Sequence, residues 1–181
     1  MTSRAKALND FYSGPVWKAH RKAANATMID SDNVLLLRPA FPTSGFSLEN
    51  MKRAPVGADE IPTSLVVATI YYFADPVAPD FINFFEHTLR PVIEGLDATI
   101  SASFVTENSE NTFPALPLRT GENVFVWFSN FPDSAAYENY LAALPRSERW
   151  RSEVSPALTR CLERAPEVLK LSPTARSQLR G

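Results

Sequence analysis

The chain has 181 residues, of which 45% are hydrophobic, and this is enough to bury the core of one domain with an extension. Its formal net charge is −2, so the composition gives no indication of nucleic-acid binding. One cysteine excludes an internal disulfide framework. The sequence shows no apolar run long enough to predict a membrane span and no apolar stretch of the kind that predicts secretion. We therefore expect a cytoplasmic protein.

The segment 1–40 predicts helices followed by a short strand. The helical part runs from about Arg4 to Met28 and is interrupted where Ser13 can cap, and Pro15 can begin, a second helix. One stripe of that second helix is predicted to pack against the protein. It consists of Val16, Ala19, His20, Ala23 and Thr27. The strand, residues 33–38, is nearly all apolar, which favours burial on both faces.

Residues 64–174 carry the order strand, helix, strand, strand, helix, strand. Runs enriched in Val, Ile, Thr and aromatic residues predict the four strands. These are Leu65–Phe73, Ala98–Thr106, Asn123–Phe131 and Val168–Leu171. The proline-rich stretch 41–63 predicts an extended linker, and 175–181 predicts a tail.

The helices between these strands carry their own start and stop signals. In the first helix, Pro91 is expected to kink or shorten the last turn. Asp133 is predicted to cap the next helix, in which apolar and tyrosine side chains recur at helical spacing. Ser155 and Pro156 are predicted to cap and begin a further helix.

Helices on one face of a mostly antiparallel sheet predict an α+β fold, a ferredoxin-like sandwich preceded by a helix–strand half-repeat. Two matching intervals indicate the half-repeat: Trp17 precedes Pro39 by 22 residues, and Trp150 precedes Pro173 by 23. The second face of the sheet would be bare in a monomer. We therefore expect it to pack against the half-repeat, a second subunit or both.

The segments Gly14–Ala40 and Glu110–Leu144, with the stretch from Trp150 to Pro173, resemble the NIPSNAP family of the dimeric α/β-barrel superfamily. The resemblance implies a homodimer and, in a complete member, two such units forming a barrel-like pair of sheets. This chain differs because its first unit lacks the opening strand, helix and strand. The strand 33–38 could join the edge of the second unit's sheet or pair with another subunit. The chain could also be part of a longer two-repeat protein.

The two histidines are the first residues to consider for catalysis or metal binding. His87 is predicted on the solvent face of its helix, whereas His20 lies on the predicted packed stripe near Trp17. His20 is therefore either a core histidine or a ligand-binding group. Neither histidine has a metal-ligating partner one turn away, Cys161 is predicted to be a small buried residue, and no glycine-rich phosphate loop occurs. We predict no metal and no cofactor.

Small hydroxyl side chains alternate along the predicted strand 98–106 and could line a cavity inside the barrel. The predicted lining comprises Thr69, Tyr71, Thr99, Ser101, Ser103 and Trp127. In the opposite strand register, Tyr72 would replace Tyr71. A mostly apolar pocket with a few polar groups is typical of small-molecule sites. The alternative is a solvated sheet face.

The loop 107–121 is a second candidate site, because long loops in compact domains often carry function. Its Asn111 and Arg119 are the side chains expected to meet a ligand or a partner. The alternative is a packed connector that closes one end of the barrel.

These observations favour a NIPSNAP-like protein that binds a small apolar ligand or a protein partner without catalysis. The alternative is a cofactor-independent enzyme of the oxygenase or isomerase type that uses the barrel cavity. Catalysis would need a titratable group there, and His20, Tyr71 and Arg119 are the candidates. A haem-degrading version would need a histidine at the iron, and His20 alone could supply it.

Overall fold

The computed structural model describes residues 2–47, 49 and 51–180. The described residues form two compact units. The first unit consists of Met1–Leu37 and Glu107–Glu122. The second unit consists of Arg38–Thr106 and Asn123–Gly181.

The first unit begins with helices α1 (Thr2–Ser13) and α2 (Pro15–Ala26), so the predicted interruption is confirmed. Gly14, rather than Ser13, is the residue that precedes α2, and it makes no side-chain cap. The reason is that Ser13 still belongs to α1, while the Gly14 amide donates to the Phe11 carbonyl at 3.1 Å. A Cβ at Gly14 would lie 2.9 Å from the Asp10 carbonyl oxygen, which explains the glycine.

The stripe of α2 that was predicted to pack against the protein is exposed, so this prediction was wrong. No residue of either helix is buried; Val16 is 71% exposed and His20 is also exposed. His20 is therefore not a core histidine. The helical periodicity is real, but within its own unit α2 has no sheet to cover its apolar stripe. Trp17 is half-buried, because it turns toward the rings of Phe11 and Tyr12.

The second unit is built on one sheet with the strand order β1-β3-β4-β2-β5. The strands are β1 (Leu37–Pro39), β2 (Leu65–Phe73), β3 (Thr99–Thr106), β4 (Asn123–Phe131) and β5 (Glu167–Leu171). β2 pairs antiparallel with β4 and β5, and β3 pairs antiparallel with β4. The order of the last four strands is that of a ferredoxin-like sheet.

The strand predicted at 33–38 was expected either at the edge of this sheet or in another subunit. In the structure it is β1, which lies at the edge of the sheet beside β3. The strand is shorter than predicted and half-buried to exposed, not buried on both faces. Beyond it, Ser44 holds the chain against β3: its carbonyl accepts from the Ser103 amide at 2.8 Å, and its hydroxyl donates to the Ser103 carbonyl at 2.8 Å. An edge strand is covered on one side only, which explains its exposure.

One face of this sheet is covered by helices. After β2 come α3 (Pro79–Phe84), a π-helical turn (Phe85–Leu89) and α4 (Arg90–Glu94). After β4 come α5 (Ser134–Ala143), a 3₁₀ turn (Leu144–Arg146), a π-helical turn (Trp150–Val154) and α6 (Ser155–Cys161). Asp133 caps α5 as predicted, accepting from the Ala136 amide at 2.7 Å.

Both π-helical turns end two residues before a proline, Pro91 in one helix and Pro156 in the other. Proline has no N–H to donate to the carbonyl four residues earlier, so an uninterrupted α-helix would leave that carbonyl unpaired. Each helix widens instead by one residue before its proline. Of the two predicted effects of Pro91, a kink or a shortened last turn, the shortening is not found, because the helix continues as α4 after the widened turn. The widening also means that Ser155 continues a helix rather than capping a new one, because Val154 before it is already helical.

The helix-side core is apolar and densely aromatic. Its fully buried side chains include Phe85, Leu89, Ile93, Phe125 and Val154. Within that core Phe85 packs against Phe125 with ring centroids 4.6 Å apart. No helix in the described stretches is long and apolar enough to cross a membrane.

The second face of the sheet is not bare, contrary to expectation. Val66, Ala68, Ile70 and Val126 point to this face and are at most 6% exposed. Part of the cover comes from the predicted linker, because the Phe46 ring lies 4.9 Å from that of Phe128 and 5.4 Å from that of Phe104. The segment 51–54 is in turn held by the chain's end: Arg176 Nε donates to the Ala54 carbonyl at 3.1 Å.

Candidate functional site

A cavity of about 450 Å³ lies in the second unit, between the helix-side face of the sheet and the layer formed by α5 and α6. Strands β2 and β4 supply its floor. The helices and the segment before β5 supply its walls and mouth. Its lining is mainly apolar and aromatic, with a few hydroxyl groups.

The floor is set by the register between β2 and β4. Thr69 stands directly opposite Trp127, and Val67 stands opposite Ser129. Directly paired residues share one face of a sheet, so the hydroxyls of Thr69 and Ser129 lie beside the Trp127 indole. Tyr71, two residues beyond Thr69, lies on the same face. All of these side chains are buried.

The two tyrosines that the sequence left open lie on opposite faces of β2. Tyr71 lines the cavity, whereas Tyr72 lies on the opposite face of the sheet. There the Tyr72 hydroxyl donates to Glu167 Oε2 at 2.7 Å, and the Arg164 guanidinium carbon lies 3.7 Å from the centre of the Tyr72 ring. Tyr72 is therefore held by its own partners, away from the cavity.

Aromatic side chains from the helical layer form one wall. Tyr137 and Tyr140 extend from α5 toward the sheet, with ring centroids 6.2 Å apart, and both pack against Phe131. Trp150 adds a second indole from the π-helical turn that precedes α6. The sequence marked Tyr137 and Tyr140 as a packed stripe, but their spacing alone could not distinguish a filled core from a cavity wall.

The mouth of the cavity carries its more polar and more exposed residues. Thr159, Arg164 and Val168 are all exposed and all contribute to the lining. A ligand entering here would pass this more exposed rim before it reached the apolar interior.

Burial raises the pKa of two tyrosines in the cavity lining. Burial raises the pKa of Tyr71 well above its usual range, and the nearby Tyr140 adds to the effect, while the Trp127 side chain opposes it. Burial, with a smaller contribution from Tyr137, likewise raises the pKa of Tyr140. Trp127 Nε1 is buried without a well-formed hydrogen bond, although it lies near the Tyr71 hydroxyl. The interior thus offers hydrogen-bonding groups but no charge.

The three hydroxyls predicted on β3 do not share a face, and none of them lines this cavity. A bulge between Ile100 and Ala102 shifts the register against β4. As a result Thr99 pairs with Asn130 on the second face, while Ser103 pairs with Trp127 on the helix face. Simple alternation cannot show an extra residue of this kind, so the prediction that the three hydroxyls share one face was wrong.

Four further candidates lie in the first unit, and the structure does not place them at this cavity. Trp17 belongs to the aromatic cluster at the junction of α1 and α2, and His20 is exposed on α2. Asn111 and Arg119 hold the loop: Arg4 Nη1 donates to Asn111 Oδ1 at 3.1 Å, and the Arg119 guanidinium donates to Glu122 at 2.5 Å. A role for these residues in ligand binding stays a prediction.

The two remaining polar candidates are surface residues. His87 is exposed, as predicted, whereas Cys161 is exposed at the end of α6 rather than buried. The helix ends at Cys161, so its outer side has no neighbouring element to cover it. Within residues 2–47, 49 and 51–180, no three His, Cys, Asp or Glu side chains lie close enough together to hold a metal ion.

The sheet order and the helices on one face of the sheet define a ferredoxin-like α+β sandwich, and solved structures share this fold. A NIPSNAP family protein from Agrobacterium tumefaciens aligns with a TM-score of 0.52 at 17% identity, covering 67% of this chain and 99% of that one. A NIPSNAP-like domain protein from Burkholderia xenovorans aligns with a TM-score of 0.51 at 20% identity, covering 64% of this chain and 89% of that one. The chain therefore contains a domain with the NIPSNAP-like fold.

Other comparisons add no functional argument. SnoaB, a cofactor-independent oxygenase from Streptomyces nogalater, aligns with a TM-score of 0.40 at 11% identity, covering 61% of this chain and 93% of that one. That similarity is too low to support an inference about activity. No family profile matches the sequence, and no curated protein matches it.

Proposed function

We propose that the second unit binds a small, mostly apolar ligand in the cavity between its sheet and α5–α6. The observation that carries this proposal is the cavity itself, about 450 Å³ in volume, with an aromatic wall and a hydroxyl-bearing floor. Small-molecule sites have volumes of roughly 300–1,000 Å³ and combine an apolar lining with a few polar groups. The cavity meets both conditions.

The lining indicates the kind of ligand. The rings of Tyr137, Tyr140 and Trp150 favour a flat or aromatic body, since faces and edges of rings pack well against one another. Thr69, Ser129 and Tyr71 on the floor can hydrogen-bond one or two ligand oxygens. We therefore infer an apolar, ring-containing molecule that carries a hydroxyl or carbonyl group.

Binding is favoured over proton-transfer catalysis by the state of the interior groups. A general base should have a pKa near the working pH. The raised pKa values of Tyr71 and Tyr140 keep both phenols protonated at neutral pH, so they can donate hydrogen bonds but cannot readily accept a proton. Tyrosines and Arg164 are the only titratable residues that line the cavity.

The homodimer implied by the family resemblance is also carried forward as a proposal, but with a different contact from the one expected. The second sheet face is largely buried within the chain. The outer edge of β5 is the better surface, because all five of its residues are exposed, with Val168, Leu169 and Leu171 between 41 and 46% exposed. Exposed apolar edge strands readily pair with a second chain. Leu169→Lys should then convert dimer to monomer in native mass spectrometry.

Native mass spectrometry of the full chain under gentle conditions tests ligand binding directly. We expect additional mass on the protein, released by organic solvent. Thr159→Trp at the mouth should block entry and abolish the additional mass. Ser152→Trp is the matched control, because Ser152 is exposed on the same helical stretch but does not line the cavity.

Three outcomes decide the proposal. Additional mass that is lost in Thr159→Trp and retained in Ser152→Trp supports it. Additional mass retained in both variants places the ligand elsewhere and overturns it. A wild-type protein that carries no mass and fails to take up an apolar ring-containing probe such as anilinonaphthalene sulfonate also overturns it.

A further inference from the structure

The helices α1 and α2 concentrate positive charge in a protein that is acidic overall. Residues 1–29 contain five of the chain's 18 basic residues but one of its 20 acidic residues. Within α2 there are Lys18, Arg21 and Lys22 and no acidic residue. At 0.1 M salt, screening limits the electrostatic field of each charge to about 10 Å. A binding partner of these helices therefore senses their local positive charge rather than the net charge of the chain.

The basic residues of α2 are not used inside the protein. Lys18, Arg21 and Lys22 are exposed, and none of them makes an ion pair with any residue in the described part of the chain. In contrast, Lys6 on α1 pairs with Asp10 at 2.5 Å. The three cations of α2 are therefore available to an external anion.

The same helix presents apolar side chains on its other side. Val16, Ala19 and Ala23 recur at helical spacing on one stripe, while Lys18, Arg21 and Lys22 lie on the opposite one. The apolar stripe is exposed, and so are the large side chains next to it in sequence. These are Phe11 at 54%, Met28 at 49% and Ile29 at 104% exposure.

We propose that α2 docks on the surface of a bilayer that contains anionic phospholipids. The basic stripe would meet the headgroup phosphates and carboxylates, and Val16 and Ile29 would enter the boundary between headgroups and acyl chains. A basic stripe beside an exposed apolar one is the pattern of helices that lie in the membrane interface. Nucleic acid would leave the apolar side chains in water, and an acidic protein would need a groove for them. This docking is independent of the cavity in the second unit.

Vesicle co-sedimentation of the full chain tests the docking. The probes are vesicles of phosphatidylcholine alone and of phosphatidylcholine with phosphatidylserine at roughly two to one. We expect pelleting with the anionic vesicles at low salt, little with the neutral ones, and a marked loss at high salt. The triple variant Lys18→Gln, Arg21→Gln, Lys22→Gln should lower the partition coefficient about a hundredfold, since each basic residue contributes roughly a factor of five.

The control removes equal charge elsewhere. Arg146, Arg149 and Arg151 are exposed in the second unit, and their replacement by Gln should leave partitioning within a few-fold of wild type. Val16→Ser should weaken binding without changing its salt dependence. Circular dichroism verifies that each variant is folded.

Three results would overturn the proposal. Equal losses in both triple variants would show that net charge, not α2, drives binding, and would overturn the proposal. So would wild-type protein that stays in solution with anionic vesicles at low salt. Binding to polyglutamate but not to vesicles, lost in the α2 variant, would also overturn it and assign α2 to an acidic protein.

Discussion

Thr69 on β2 lies directly opposite Trp127 on β4, on the sheet face that floors the cavity. The pair places a small hydroxyl beside a large indole at the centre of the floor. Any ligand that reaches the sheet therefore meets both an apolar surface and a hydrogen-bonding group.

Thr69→Val separates the role of that hydroxyl in binding from its role in folding. Valine has nearly the same shape, so we expect the free energy of unfolding to change by less than about 1 kcal/mol. The ligand retained in native mass spectrometry should nevertheless dissociate more readily. A variant that retains ligand as well as wild type would show that the floor hydroxyl is not used.

Stability should fall at alkaline pH because of Tyr71 and Tyr140. Their pKa values are raised in the folded state, so the folded protein holds these protons more tightly than the unfolded chain does. The contribution is complete below the unfolded pKa of about 10 and is lost as the pH rises above it, with a slope of at most about 1.4 kcal/mol per pH unit for each tyrosine. Urea unfolding between neutral pH and pH 11 measures the slope, which Tyr140→Phe should reduce. An unchanged slope in that variant would contradict the assignment.

Ser103 and Ser44 should respond oppositely to the same substitution. Ser103 is 1% exposed and its hydroxyl has no hydrogen-bond partner, so Ser103→Ala should leave stability unchanged or raise it by up to about 1 kcal/mol. The Ser44 hydroxyl donates to the Ser103 carbonyl at 2.8 Å, so Ser44→Ala should cost about 1–3 kcal/mol. Equal destabilisation in urea titrations would contradict this difference.

Phe46 tests whether the predicted linker stabilises the domain. Its ring packs against Phe128 and Phe104 on the second sheet face, so Phe46→Ala should cost about 1–3 kcal/mol. Ile61 is the matched control in the same segment, because it is 69% exposed and Ile61→Ala should change stability by less than about 0.5 kcal/mol. If both variants unfold at the same urea concentration as wild type, the segment covers the sheet without stabilising the domain.

Asp133→Ala should remove the cap of α5 and cost about 1 kcal/mol. Asp133→Ser is the control, since serine can also accept from the Ala136 amide. Thermal unfolding followed by circular dichroism should place the serine variant near wild type and the alanine variant below it. The reverse order would show that the cap does not stabilise α5.

The strands were the most predictable part of the fold. β2 and β4 have the bounds expected from the sequence, because both are continuous apolar and aromatic runs with clear breaks on either side. The bulge at Ser101 was not predictable, since an extra residue in a strand leaves no mark on an alternating pattern. It places Thr99 and Ser103, which were expected to share a face, on opposite faces of the sheet.

The site was predicted only in part. Thr69, Tyr71 and Trp127 share a face, but the cavity that they line lies between the sheet and the helices, not inside the barrel where the sequence analysis expected it. His20 was misplaced, because periodicity shows which stripe of a helix is apolar but not whether another element covers it. The volume of the cavity depends on how far α5 and α6 stand from the sheet, and no local pattern contains that distance.

Burial of the second sheet face within one chain has a kinetic consequence. Val66, Ala68 and Val126 find their cover along their own polypeptide, so the core can form without a collision between two molecules. Formation of this core during refolding should therefore be first order, with a rate that does not change when the protein is diluted, unlike that of an obligate dimer.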